Sequence, residues 1–377
     1  MGDSSKALPK NHQEWQGRIA ERNLAGKTVH GAELASASKI KLDQFLLLRI
    51  LWDNHEGSPE SMGTLFGMPY WITTAKAMLA NYTPWKTYCD SFTAGKIPEG
   101  TFATARHCQL EVSKTKEEAD PHLFSTPIAR RTRGRLERDM ANLDLHSTPS
   151  KRSNKQHDKP VLQGSPGDPF GLEDDSPSPF KPVSPIPKEL ETVLYPPTKD
   201  EQIVNTALII FLNALTLHFS LSCSWTLHRM AFTANFGSAR FEARTDGYLD
   251  DHRGKPSALI EVKPVLRSRQ MDLIQMQESA QMVSWIKNDS DLANGQDRIR
   301  ILISQDRHFI FITVAEYDAD YLAYLKNEKP STDTLSFLTM HQFGPWDTQR
   351  ASHMRELGPI LLAITLRAEA ESKGMDL

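Results

Sequence analysis

The chain has 377 residues, with 44 Lys and Arg against 47 Asp and Glu and a formal net charge of -3. That length accommodates two ordinary domains or one with long tails, and the near-neutral balance means that nucleic-acid contact requires a local basic surface. Cys89, Cys108 and Cys223 are widely spaced and odd in number, which excludes a disulfide framework and a C-x-x-C zinc site.

Met1 to Lys6 is polar and lacks the apolar core of a signal peptide, and Lys6 stands where a myristoylation start carries Ser or Thr. The most apolar run, Ile203 to Leu217, is interrupted by Asn205, Asn213 and Thr216 and is short for a membrane span. An intracellular protein with no membrane partner is expected. Residues 1–34 read as a flexible N-terminus with a short helix over Gln13 to Asn23. From Ser38 apolar residues recur at helical spacing through Ile40, Leu42, Phe45, Leu46, Leu48, Leu51 and Trp52. Ser58 and Pro59 then start a short helix over Ser61 to Phe66, Gly67-Met68-Pro69 turns the chain, and Tyr70 to Ala80 forms a third helix. Residues 35–125 are therefore predicted to be a helical region with the outline of a helix-turn-helix, an outline that any small bundle shares. Tyr70, Trp71, Tyr82 and Trp85 suit core or interface roles.

Residues 126–195 change character. Ile128 to Arg135 and Lys151 to Lys155 are basic runs, readable as a nuclear-import signal, a phosphate-gripping arm or a plain solvated segment. Gln163 to Pro197 is rich in Pro, Ser and Asp, with too little apolar surface to offset the entropy of ordering, so a disordered linker is expected. Residues 196–377 read as an α/β domain. Its helices are predicted over 198–217, 270–287, 317–326 and 348–370, and its strands over 225–232, 238–249, 258–263, 300–304 and 309–314.

The chemistry concentrates between Thr245 and Lys263. In Ala258 to Lys263 the alternation of a strand sets Ile260 and Val262 on one face and Glu261 and Lys263 on the other. A carboxylate and an ammonium on an apolar strand need mutual satisfaction or a task. With Asp246 upstream they form an Asp … Glu-x-Lys set able to hold Mg²⁺ beside a phosphodiester, the lysine serving phosphate or water. The alternative is a strand-end salt bridge. Asp250 and Asp251 suit the turn beyond. His218, His228, His308 and His341 show no metal-ligand spacing, and no Walker loop or G-x-S-x-G elbow occurs.

The order helix, strand, Asp246-bearing strand, turn, Glu261-Val262-Lys263 strand and helix resembles the PD-(D/E)XK nuclease superfamily. Gln277 and Gln281 on that last helix are similar to the added motif of its RecB-like branch. The run Arg244 to Tyr248 with Ile260 to Pro264 looks like the fungal PD-(D/E)XK nuclease-like domain proteins; one departure is that Thr245, not proline, precedes Asp246, which is common in the superfamily. The resemblance covers residues 196–377. It implies a restriction-endonuclease-like three-layer α/β core with a central mixed sheet, behind a small helical region and a disordered linker. It further implies a metal-dependent nuclease using Mg²⁺ or Mn²⁺, acting on DNA in preference to RNA. Asp246, Glu261, Lys263 and Gln277 would be catalytic, with Asp246, Glu261 and Glu201 as metal ligands. Glu201 has a rival role in a capping box with Thr198. Arg240, Arg244, Arg267 and Arg269 are candidate phosphate contacts. The competing expectation keeps the fold and drops the chemistry, leaving an inactive module for nucleic-acid binding or protein interaction.

Overall fold

The centre of the fold is a seven-stranded mixed sheet, seen in a computed structural model that describes residues 7–55, 67–114, 199–289, 299–332 and 334–374. Its strands are β1 (Ile50–His55), β2 (Ser224–Thr226), β5 (Gly247–Asp250), β6 (Pro256–Lys263), β7 (Arg300–Asp306), β8 (Phe309–Glu316) and β9 (Leu338–Asp347), in the order β1-β9-β8-β7-β6-β5-β2. β1 with β9 and β6 with β7 run parallel, and the other neighbours run antiparallel. β3 (Ala231–Phe236) and β4 (Ala239–Arg244) form a separate hairpin whose burial alternates along both strands, as expected of a ribbon with one covered face.

Alternation along the strands sorts the core into two apolar layers. Ile260 and Val262 of β6, with Ile301 and Ile303 of β7, pack with Leu208, Phe211 and Leu212 of α6 (Lys199–Thr216) and with α9 (Ala351–Ser372). Leu259 and Leu302 point the other way, toward Met276, Ala280 and Val283 of α7 (Met271–Asn288), with the β3–β4 hairpin on the same side. Helices therefore cover both faces, the three-layer plan that a mostly buried sheet requires. Among the described residues no helix is long and apolar enough to cross a membrane.

The N-terminal region is not a separate helical module. α1 (His12–Glu21) and α2 (Leu42–Leu47) join the α7 layer, while α3 (Pro69–Ala80), α4 (Thr83–Ala94) and α5 (Ala103–Lys114) join the layer of α6 and α9. Residues of 1–125 and 198–377 make up one compact unit. The expected boundary near residue 196 thus marks a long insertion in one fold. Residues 7–34 are tied down as well: Trp15 is buried and its indole donates to the Leu46 carbonyl at 2.9 Å. The helix expected through Trp52 ends early. Arg49 adopts a left-handed φ of 54°, its guanidinium 3.6 Å above the Tyr324 ring of α8 (Ala319–Lys326), and Ile50, Leu51 and Trp52 continue as strand beside β9. Of the expected aromatics, Tyr82 and Trp85 are core residues, whereas Tyr70 is 69% exposed. The short helix over 61–66, both basic runs and the proposed linker lie outside the described residues.

Candidate active site

Asp246 sits where the chain leaves the β3–β4 hairpin for the main sheet. Its amide donates to the Ile260 carbonyl at 3.0 Å, and its own carbonyl accepts from the Asn205 side chain of α6 at 2.9 Å. The following Gly247 is required by close approach, since a Cβ there would stand 2.5 Å from the Thr226 carbonyl oxygen of β2. The Asp246 carboxylate is 4% exposed; Oδ2 accepts from the Val262 amide at 3.1 Å and Oδ1 pairs with Arg229 at 2.9 Å.

Glu261 and Lys263 extend from β6 toward α7, as their shared parity with Leu259 dictates. They are 2% and 7% exposed, and the Lys263 ammonium donates to Glu261 Oε1. Gln277 and Gln281 stand one helical turn apart on α7 and clasp the same carboxylate, donating to Oε1 and Oε2 respectively at 2.6 Å each. Gln281 also donates to the Arg244 carbonyl at 2.8 Å, while its own Oε1 is buried beside Glu261 with no hydrogen-bond partner.

Electrostatics joins these groups into one cluster. Burial, with the Asp246 charge adding to it, drives the Glu261 carboxyl up to about 8 against the pull of Lys263 and Gln281. Burial opposes the Lys263 ammonium, but Glu261, Glu201 and Asp246 more than offset it and its pKa is raised. Glu201 is likewise raised, by burial first and by Asp246 second. Its carboxylate lies 3.6 Å from Arg229, so the same guanidinium spans Glu201 and Asp246. Thr198, the partner in the proposed capping box, lies outside the described residues.

The structure therefore gathers Glu201, Asp246, Glu261, Lys263, Gln277 and Gln281. It does not bring all three carboxylates within 4.8 Å of one another, a distance that among the described residues one triple alone satisfies: Asp53, His55 and His341. Arg229 is the cluster member that sequence reasoning missed; its position just ahead of β3, next to the Met230 that pairs with Thr245, was the available signal. Asp250 and Asp251 serve the turn, accepting from the Gly254, Arg253 and Lys255 amides. Arg244 pairs on the surface with Glu242 at 2.6 Å.

Arg267 is not a phosphate contact. It is 3% exposed, and its guanidinium donates to Asp306, Gln342, Ser304 and both oxygens of Glu278, against the Phe311 ring.

Fold and cluster together define the class: an α/β protein with a mixed seven-stranded sheet and a buried carboxylate–lysine cluster between the sheet and a glutamine-bearing helix. Comparison with family models, with curated proteins and with solved structures finds no match to the chain.

Proposed function

We propose that the chain is a metal-dependent nuclease of restriction-endonuclease-like fold, hydrolysing nucleic-acid phosphodiester bonds, DNA in preference to RNA, at the cluster around Asp246, Glu261 and Lys263. The observation that carries this reading is the gathering of carboxylates that repel one another inside the fold. Burial first and the Asp246 charge second raise both Glu261 and Glu201, an arrangement unfavourable for folding that a cation would relieve. The element order α6, β2, β3, β4, β5, β6, α7, β7, with α7 linking the parallel pair β6 and β7, supports the fold assignment.

The residues fit a hard divalent cation. Their donors are carboxylate oxygens, and the unpartnered Gln281 Oε1 supplies a buried acceptor for an ion-bound water. Asp246 and Glu261 would hold Mg²⁺ or Mn²⁺, with Glu201 as a further acid. When bound, such an ion lowers the pKa of a water ligand and neutralises charge on the phosphate. Lys263, kept protonated by the surrounding acids, donates to a phosphate oxygen or holds the attacking water. Gln277 and Gln281 fix the Glu261 carboxylate by taking one oxygen each. Arg229, 35% exposed in its side chain, turns from Asp246 toward the phosphate.

One observation favours the alternative, an inactive nuclease-fold module for nucleic-acid binding or protein interaction. Each central carboxylate already has a cation of the chain's own, Arg229 on Asp246 and Lys263 on Glu261. The experiment is cleavage of single- and double-stranded DNA and RNA by wild type, Glu261→Ala and Lys263→Ala with Mg²⁺, Mn²⁺ or EDTA. The expected result is Mg²⁺-dependent cleavage reduced by ~10²-fold or more in either variant. Cleavage that survives both substitutions would overturn the site. Binding without cleavage by wild type would select the alternative.

A further inference from the structure

A second polar cluster lies at the seam between β1 and β9, strands drawn from opposite ends of the chain. They pair in parallel with Asp53 opposite His341 and His55 opposite Phe343. Alternation puts Asp53, His55 and His341 on one face of the sheet, and Asn54 and Gln342 on the face toward α7. Three ligand-type atoms converge. His55 Nε2 lies 3.2 Å from Asp53 Oδ2 and 3.1 Å from His341 Nδ1, and His341 Nδ1 lies 3.7 Å from Asp53 Oδ2. Tetrahedral coordination with bonds of ~2.0–2.2 Å spaces ligand atoms by about 3.4 Å, so the triple already has the spread of one face of a zinc site.

A hydrogen bond between two imidazoles would explain one of these distances but not the surroundings. His341 Nε2 is 2.9 Å from Glu316 Oε2 on β8. Donation there leaves the His341 Nδ1 lone pair directed at the point that His55 and Asp53 also address. A carboxylate behind a ligating histidine fixes its tautomer and raises its basicity, as in many metal sites. The His55 ring is held by stacking on Phe343, with centroids 4.8 Å apart and planes 10° from parallel. The Asp53 side chain is about half exposed, so the side away from the sheet is open to solvent.

We propose that Asp53, His55 and His341 bind one zinc-class divalent cation, with Glu316 orienting His341 and water completing the coordination. Two imidazoles and a carboxylate select Zn²⁺, Co²⁺ or Ni²⁺ over Mg²⁺, in contrast to the all-oxygen donors around Asp246. The ion fastens an edge strand from the N-terminal region to a strand from the C-terminal region. The site is independent of the nuclease reading.

The test uses the full chain stripped with chelator and titrated with Zn²⁺ against a chromophoric competitor, with Co²⁺ as spectroscopic probe. One bound Zn²⁺ that His55→Ala removes, a visible Co²⁺ band of tetrahedral type and a rise in melting temperature with Zn²⁺ that is lost in His55→Ala are expected. His55→Ala and Asp53→Asn, both at partly exposed positions, should abolish the band while leaving the circular dichroism spectrum unchanged. Glu316→Gln should weaken binding by ~10–100-fold. Absence of Zn²⁺ binding by wild type, or binding equal in wild type and His55→Ala, would overturn the proposal.

Discussion

The buried pair of Glu261 and Lys263 supports a quantitative double-mutant cycle. Both side chains are nearly inaccessible and in direct contact, with Gln277 and Gln281 filling the rest of the carboxylate. Lys263→Met leaves a buried carboxylate without its cation, and Glu261→Gln leaves a buried ammonium facing amide donors. Removing one member of such a pair costs ~3–5 kcal/mol, whereas replacing both by neutral groups of similar volume is often neutral or stabilising. The double variant should therefore be more stable than Lys263→Met alone, with a coupling energy of ~3 kcal/mol or more. The carboxyl at about 8 adds a signature. Its folded-state pKa lies above the unfolded value of ~4.3, so between these limits the folded chain holds a proton that the unfolded chain releases. Wild-type stability from this group is greatest at low pH and declines as pH rises through that window, and Glu261→Gln flattens the decline. Full charge–charge coupling appears only above about pH 8, and at about pH 6 the coupling should fall to that of a hydrogen bond, ~1 kcal/mol. Urea unfolding of the four proteins at both pH values measures it. Additive single effects within ~0.5 kcal/mol at high pH would refute the buried ion pair.

Two further predictions concern α9. Glu369 accepts from the Ser222 amide and hydroxyl and the Cys223 amide at 2.8, 2.6 and 2.8 Å, anchoring the approach to β2. Burial pushes its pKa up, but Lys373 and these donors hold it down to about 2. The folded value being depressed, its stabilisation is present above the unfolded value and lost as pH falls toward about 2. Glu369→Ala should cost ~2–3 kcal/mol at neutral pH and progressively less on acidification; a pH-independent difference in acid-titrated unfolding would count against it. Gly358 faces Trp85 of α4, and a Cβ there would lie 2.4 Å from the indole ring. Gly358→Ala should destabilise by ~1–3 kcal/mol, in part recovered by Trp85→Leu in the same chain, whereas a neutral Gly358→Ala would show that the helices separate freely.

What the sequence disclosed follows from the range of the interactions concerned. α6 and α7 are long elements with local periodicity, and strand parity alone set Glu261 beside Lys263. Two strands escaped for local reasons. β1 follows α2 after two residues, and Ile50, Leu51 and Trp52 continue the helical spacing that precedes them; the break is made by Arg49 at positive φ, with no glycine to announce it. β9 contains Gly344-Pro345, which reads as a turn, and the sheet absorbs it by a register shift opposite Ile310 and Ile312. Missing both strands hid the triple of Asp53, His55 and His341. His341 has no ligand partner at short spacing in its own strand, and its partners arrive by parallel pairing from the far end of the chain. Only the Asp53-x-His55 repeat was available locally, and it becomes informative once β1 is known to be a strand.

Arg267 shows where residue type and position stop carrying information. Near the proposed phosphate site an arginine suits an anion contact. A guanidinium has five N–H donors, and here the five hydrogen bonds to Asp306, Gln342, Ser304 and Glu278 use all of them. An anion would have to displace one of these partners and leave a carboxylate, amide or hydroxyl buried without its donor. Arg229 presents the opposite case, with a side chain one-third exposed and two carboxylates sharing one end of it. Under the proposed function a bound cation takes its place on Asp246, so Arg229 can turn away without stranding that buried carboxylate. Whether an arginine beside the cluster can turn to an anion thus depends on its exposure and on how many of its donors are filled, which the packing of distant elements decides and no motif names.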